Sequence, residues 1–466
     1  MTKGKFAFRS LLSILLCVSV LSGCADQGPN VQKPSEPDNG PGEGTQQLPD
    51  EKPETDTGYF AFSSVDFVSE MGVGWNLGNT LECNLSGYPD TDYANKIVEE
   101  LGFENREMFC EVRNQQDIYR GKTTKNTIQA VYDKGFRTVR IPVSWSNHMD
   151  ETGKINESWM DRVQEVVDYV MEFEDMFALI NIMDTPNINA YGLDNYSYSK
   201  TMALVENVWT QVAETFADYD ARLIFENLNE PLHSQQKWNL SPQSSPETYV
   251  ECNRNLTIAN QLFVDIVRSQ GSENNANRFL TVSAYGNIGY YVYDEAVNAI
   301  SPFVIPQDSA TDKLLVNIHS YNPNDLSFGS GDEWSAEADK NLPSGITQQM
   351  DAIGKNLVQK GIGVVMSEWG TVYKDVAGRE QTRAAHAEYY MECATKNGIC
   401  AIVWDNDNRS TDWSTEYFGF LNRYKASGLY DVKPTLSGVK YDDSQLWFSE
   451  EVVDAIFEGY RKGLQQ

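Results

Sequence analysis

Eight short apolar runs alternating with amphipathic stretches predict a parallel (β/α)8 TIM barrel, an α/β fold, for this chain. The runs are rich in apolar and β-branched residues, as strands buried on both faces are. The stretches between them repeat apolar residues at three- and four-residue spacing, and several stop at Gly or Asn, where helices end. An open doubly wound sheet is the competing architecture. It would carry a glycine-rich phosphate loop after its first strand, and GWNLGNT from Gly74 lacks that spacing.

In chain order, the first strand is expected in MGVGWNL from Met71, followed by a helix in KNTIQAVYDKG (125–135) and a second strand in GFRTVRIPV from Gly135. A helix in SWMDRVQEVVDYVMEF (158–173) leads to MFALINI from Met176. TMALVENVWTQVAETFADY (201–219) leads to RLIFENL from Arg222, and RNLTIANQLFVDIVRSQ (254–270) to RFLTVSAY from Arg278. KLLVNIH from Lys313, the helix ITQQMDAIGKNLVQKG (346–361), GIGVVMS from Gly361, the helix EQTRAAHAEYYMECATKNG (380–398) and GICAIVW from Gly398 complete the set.

The chain has 466 residues, of which 41% are hydrophobic and 12% aromatic, ample for one large core. Its net charge of -30 argues against nucleic acid or an anionic polymer as partner, since both would be repelled. A neutral polysaccharide meets no such penalty.

At the N-terminus, Lys3, Lys5 and Arg9 precede an apolar run from Leu11 to Leu21, too short for a permanent membrane span and flanked like an export signal. The Leu21-Ser22-Gly23-Cys24 end resembles a bacterial lipoprotein signal, which implies a lipid on Cys24 and membrane contact through that lipid alone. Residues 24–58 are rich in Pro, Gly, Asp and Glu, a composition that cannot bury a core and reads as a tether. The expected division is therefore signal peptide 1–23, tether 24–58 and catalytic barrel 59–466, exported and anchored at a cell surface or periplasmic face. Cys83, Cys110, Cys252, Cys393 and Cys400 remain, an odd number without metal-ligand spacing, so at least one is unpaired within the chain.

The chemistry-bearing side chains fall where strands end. Arg140 closes the second run, Asn229 and Glu230 follow the fourth, His319 and Tyr321 the sixth, Glu368 the seventh and Trp404 the eighth. Each has a plainer reading: Asn-Glu-Pro suits a helix start, Arg140 could neutralise a core carboxylate such as Glu226, and His319 and Trp404 could be core. Their joint occurrence at successive strand ends points instead to the C-terminal mouth of a barrel, where two facing carboxyl groups can cleave a glycosidic bond.

LIFENLNEP, VRIPVSW, the HSY after KLLVNI, SEWG and WDN together resemble glycoside hydrolase family 5, the cellulase family, and GVGWNLGNTLE and DRVQEVVDYV are similar to its bacterial endoglucanase and xyloglucanase branch. The resemblance implies Glu230 as general acid/base and Glu368 as nucleophile. It also implies Asn229 at the sugar 2-hydroxyl, Arg140 holding the nucleophile ionised, His319 and Tyr321 lining the cleaved-sugar site, and Trp404 as its floor. A cation and hydrogen-bond donors should then keep the nucleophile's pKa low.

Three positions depart from the family pattern. Met183 and Asp184 in NIMDTPN stand where a histidine pair is usual, so that Asp184 could itself bind a sugar hydroxyl; Leu232 stands where an arginine is common and reads as structural. Trp145, Trp238, Trp369 and Trp413 lie in or beside loops after strands and read equally as core or as rings that stack on sugars, and His148 could reach the cleft or be core, whereas His386 reads as structural.

The function expected is that of a retaining endo-β-1,4-glycanase acting on β-glucan, cellulose or xyloglucan without cofactor or metal. Xylanase, mannanase and a non-catalytic glycan-binding lipoprotein are the alternatives. A metal-dependent barrel hydrolase is poorly served by four scattered histidines with neither HxH nor HExxH.

Overall fold

Eight parallel strands close on themselves in sequence order, β1 pairing with both β2 and β8. They are β1 Gly74–Asn76, β2 Thr138–Ile141, β3 Phe177–Ile182, β4 Leu223–Leu228, β5 Leu280–Ile288, β6 Leu314–His319, β7 Gly363–Trp369 and β8 Ile399–Val403. The computed structural model describes residues 58–82, 99, 111, 121–184, 190–408, 417–428 and 445–466, all within the compact unit Asp56–Gln466. The expected signal peptide, its Cys24 and, except for Gly58, the tether lie outside the described residues, as do Cys83, Cys110 and Trp413.

The helices that matter below are α1 Ser64–Glu70, α2 Lys125–Lys134, α3 Glu157–Met171, α4 Tyr198–Thr215, α5 Pro246–Ser269, α6 Glu295–Ile300, α7 Ile346–Asn356, α8 Arg379–Lys396 and α9 Glu450–Gly463. Every strand falls on one of the eight apolar runs. Helix α5 begins earlier than its apolar periodicity suggests, because Pro246 in the first turn supplies a preset φ and loses no hydrogen bond there. Sequence reading missed α1 and α6, which are short, and α9, although Val452, Val453 and Ile456 give the last a buried stripe.

Alternation along the strands divides the molecule. Ala178, Ile180 and Ile182 of β3, Val316 and Ile318 of β6, and Val364 and Met366 of β7 belong to the large core beneath the helices. Leu179, Ile224, Leu315, Val365 and Ile402 instead join a second apolar cluster with Phe67, Val68 and Met71, so α1 plugs the N-terminal end of the barrel. Phe67 stacks on Phe279 at 3.7 Å and meets Phe177 edge-on at 5.4 Å. Ser64 fastens the plug, its hydroxyl accepting from Gly363 N and donating to Gly361 O.

Continuing up the same parity, the residues turn polar: Asn76, Arg140, Asn181, Glu226, Asn317 and Ser367 are buried without measurable exposure. Register shifts occur between Asn181 and Ile182, Ser283 and Ile288, Ile318 and His319, and Met366 and Trp369. These irregularities all sit toward the C-terminal ends of the strands. There they set which side chains face the mouth.

Three cysteines lie among the described residues, Cys252, Cys393 and Cys400, and all are buried free thiols.

Candidate active site

Arg140 organises the mouth. It projects from β2 and donates through Nε and Nη2 to both oxygens of Glu226, at 2.9 and 2.6 Å. Nη1 donates to Glu368 Oε1 at 2.8 Å and to Asn76 Oδ1 at 3.1 Å, and Nη2 also reaches Asn229 Oδ1 at 2.7 Å. The plain reading of Arg140 as partner to Glu226 and the functional one as partner to Glu368 are therefore both true. Burial opposes its charge, but Glu226 and Glu368 outweigh that and hold the guanidinium above its usual range.

The remaining donors of Asn76 are satisfied by Ser367, Ile402 and Val403 carbonyls, which ties β1 to β7 and β8 beneath the site. Asn181 donates to Glu226 Oε1 at 2.9 Å and accepts from Val143 N. Sequence reading missed Asn76 and Asn181, since a buried asparagine in an apolar run gives no pattern until its parity is known.

Glu368 accepts from Arg140 on one oxygen and from the Tyr321 hydroxyl on the other, at 2.9 Å. His319 Nδ1 lies 2.9 Å from Glu230 Oε1 and 3.5 Å from Glu368 Oε2. One oxygen of each glutamate and one ring nitrogen of His319 fall within 4.8 Å of one another. That trio is also close enough to ligate a cation, but the Arg140 guanidinium already bonded to Glu368 opposes a second positive charge there.

The expectation of a depressed pKa at Glu368 is corrected. Burial pushes its carboxyl above the ordinary value, and Glu230 adds to the rise, against the pull of His319, Arg140 and Tyr321. The physical reason is burial, which the one guanidinium that Glu368 shares with Glu226 does not offset. Burial likewise drives His319 down to about 4, so its imidazole is neutral near pH 7.

Backbone geometry makes the convergence possible. In a regular strand neighbours face opposite ways, yet Ser367 donates inward to Asn317 while Glu368 also points inward to Arg140. The register shift between Met366 and Trp369 permits this. On the opposite wall Asn229 meets Arg140, and Glu230 still reaches His319 because its φ of 43° is left-handed.

Trp404 is 5% exposed and packs with Val372, Tyr417, Phe418, Met183 and Tyr321 beside the carboxylates. Its indole lies against Gly78, where a Cβ would come within 2.8 Å of Trp404 Cη2 and of Asp405 O. Arg423 donates to Gly78 O and to Asp405 O, clamping the loops after β1 and β8 on either side of that ring. The seven residues read from sequence, Arg140, Asn229, Glu230, His319, Tyr321, Glu368 and Trp404, thus meet at one end of the barrel.

Other expectations are corrected. Asp184 serves the loop after β2 rather than a ligand: its Oδ1 accepts from Ser144 Oγ, Trp145 N, Ser146 N and Ser146 Oγ, and its Oδ2 is buried. Met183 adds an apolar side chain to the Trp404 cluster. His148 is core, stacked on Trp159 at 3.6 Å. Trp145, whose Nε1 donates to Asn181 O, and Trp369, stacked on Tyr390 at 4.3 Å, are core as well. Trp238 remains 41% exposed, His386 is buried against Asn322 O, and Leu232 is buried, as expected of the last two.

A parallel barrel bearing two carboxyl groups this close at its C-terminal mouth has the constitution of a retaining glycoside hydrolase. The Cellulase (glycosyl hydrolase family 5) family matches residues 94–410. Endoglucanase A of Ruminococcus albus is 31% identical over 85% of this chain and 92% of its own length. Endoglucanase A of Clostridium longisporum is 30% identical, and the chain spans 66% of that longer relative. Among solved structures, a family 5 lichenase mutant from Caldicellulosiruptor sp. F32 with cellotetraose superposes with a TM-score of 0.70 at 32% identity, over 86% of this chain and 96% of that one. A broad-specificity endoglucanase from Ruminococcus champanellensis with bound cellotriose gives 0.64 at 28% identity, over 85% and 98%. The chain belongs to the cellulase family, glycosyl hydrolase family 5.

Proposed function

We propose that the protein is a retaining endo-β-1,4-glycanase that hydrolyses a neutral plant polysaccharide, β-glucan, cellulose or xyloglucan, by double displacement. The observation that carries this reading is the separation of the two carboxyl groups, whose oxygens approach within 4.8 Å. Inverting enzymes hold theirs roughly 6.5–9.5 Å apart to admit a water molecule, whereas about 5 Å suits a nucleophile that bonds directly to the sugar.

Glu368 acts as nucleophile, oriented by Arg140 and Tyr321, which bind one carboxylate oxygen each. Glu230 protonates the departing glycosidic oxygen and later removes a proton from the water that hydrolyses the sugar ester. A neutral His319 can donate to Glu230 when it is ionised or accept from it when protonated, so the contact follows the proton through both half-reactions. Asn229, His319, Tyr321 and Trp404 bind the sugar being cleaved. The endoglucanases and the lichenase to which the chain is similar support β-glucan as the substrate class.

The test is incubation with β-glucan, carboxymethyl cellulose, xyloglucan, xylan and glucomannan, with analysis of the released oligosaccharides. Internal cleavage of a glucan is expected. Exclusive action on xylan or mannan would move the enzyme to those substrates, and binding without release would make it a glycan binder.

The export signal and lipid on Cys24 belong to this proposal too, supported by the Leu-Ser-Gly-Cys sequence and the tether that follows. Incorporation of labelled palmitate in the bacterial host, abolished by Cys24→Ser, is the expected result; equal labelling of both chains would refute it.

A further inference from the structure

Glu230 occupies a backbone conformation that its side chain does not favour, and the end of β5 holds it there. The φ of 43° lies in the left-handed region, where a residue with a Cβ is strained unless its surroundings fix it. Beside it, β5 leaves its regular register between Ser283 and Ile288, and Gly286 and Asn287 are themselves left-handed, with φ of 60° and 55°. This bulge grips the Asn-Glu-Pro turn at two points. Asn287 Oδ1 accepts from Glu230 N at 2.6 Å, and Gly286 N donates to Pro231 O at 2.9 Å.

We propose that Asn287 is a positioning residue for the acid/base chemistry of Glu230. The inference rests on the assignment of Glu230 as proton donor made above. Asn287 has no solvent exposure, and its Nδ2 is buried without a partner among the described residues. A buried amide with an orphaned donor is costly, so packing alone would favour an apolar side chain of similar volume. What only the amide supplies is the carbonyl oxygen that receives the Glu230 N–H. Asparagine also tolerates the left-handed backbone that brings this oxygen round.

The consequence falls on proton transfer. Released from Asn287, the Glu230 peptide can rotate toward an ordinary φ, which carries its carboxyl away from His319 Nδ1 and from the glycosidic oxygen. Arg140, Glu368 and Tyr321 stand on β2, β7 and the loop after β6 and keep their contacts. Proton donation is thereby impaired while nucleophilic attack is retained.

The test uses aryl β-cellobiosides whose phenols span a range of acidity, together with an unactivated cello-oligosaccharide. Asn287→Gly keeps the left-handed freedom and removes the acceptor, Asn287→Asp keeps an acceptor oxygen, and Glu230→Ala is the benchmark; Asn287→Ala replaces Asn287→Gly if the glycine variant fails to fold. Asn287→Gly is expected to lower kcat/KM on the oligosaccharide by roughly 10- to 100-fold, the scale of a misplaced catalytic group. On the most activated phenol kcat/KM should stay within about twofold, since attack by Glu368 is untouched, whereas kcat and KM should fall together as base-assisted hydrolysis of the sugar ester becomes limiting. Asn287→Asp should recover most of the loss. A uniform loss of kcat/KM across leaving groups, or none, beside a steep leaving-group dependence of kcat/KM in Glu230→Ala would overturn the positioning role alone. A flat profile for Glu230→Ala itself would overturn the proton-donor assignment and Asn287's role with it.

Discussion

The two ends of the barrel are built on the same strands and answer opposite demands. At the N-terminal end, Phe67, Phe177, Phe279 and their neighbours form a sealed apolar plug under α1. A few residues further up the strands, Arg140, Glu226 and Glu368 are buried too but bear ionisable groups, Glu368 being turned inward by the register shift in β7. The lower end gains from burial, because apolar area leaves water and aromatic edges meet. At the upper end burial works against ionisation, and the site persists because each charge has a partner. Stability is thus concentrated at one end and strain at the other, where it can serve catalysis.

The sharpest way to break this comparison is Glu368→Gln. It is expected to reduce polysaccharide hydrolysis by roughly 10⁴-fold, the scale of a lost covalent nucleophile, with circular dichroism unchanged. Retained hydrolysis would mean that the charged end is structural after all. Phe67→Ala probes the other end and should cost about 3–5 kcal/mol in stability, as large aromatic truncations in cores do, while kcat of the folded protein stays the same. A fall in kcat at full folding would show that the plug communicates with the mouth.

A smaller effect concerns pH and follows from the raised pKa of Glu368. A carboxyl whose folded pKa exceeds its unfolded one favours folding below the unfolded value, and that contribution is lost as pH rises through the folded pKa. Where Glu368 is ionised it therefore weakens the fold, and Glu368→Gln should raise the unfolding midpoint at pH 7 by about 1 °C, equivalent to roughly 1 kcal/mol in a domain of this size. The gain should vanish as pH falls below the ordinary glutamate pKa. A midpoint lowered at pH 7 would show instead that the ion pair with Arg140 is net stabilising. The acid limb of activity should likewise lie above the ordinary carboxylate range, read from kcat/KM against pH.

Much of the site was legible because chemistry at a barrel mouth falls at strand ends, and strand ends are visible as the close of apolar runs. Glu230, Glu368, His319 and Arg140 were placed that way, and they meet. Asn76, Asn181 and Asn287 were not legible: an amide acquires meaning only from what it faces. His148, Trp145 and Trp369 were left open between core and cleft for the same reason, since proximity to a loop says nothing about which side of a strand the ring takes. Asp184 was read against the family's histidines, but the amide and hydroxyl groups of Ser144–Ser146 converge on one of its carboxylate oxygens, contacts that only the folded loop after β2 creates.

By itself the amino-acid sequence determined the eight-fold alternation and the residue types at the strand ends, because hydrophobic periodicity and turn chemistry are local. Tertiary structure decided direction. Regular pleating would send Ser367 and Glu368, or Asn229 and Glu230, to opposite faces; register shifts and a left-handed glutamate turn each pair to the same mouth. Only the closed barrel fixes those irregularities, because their positions depend on hydrogen bonds with neighbouring strands far away in the chain. It also decided the electrostatics, since one arginine shared between two buried carboxylates is a matter of distance and dielectric that no list of residues contains.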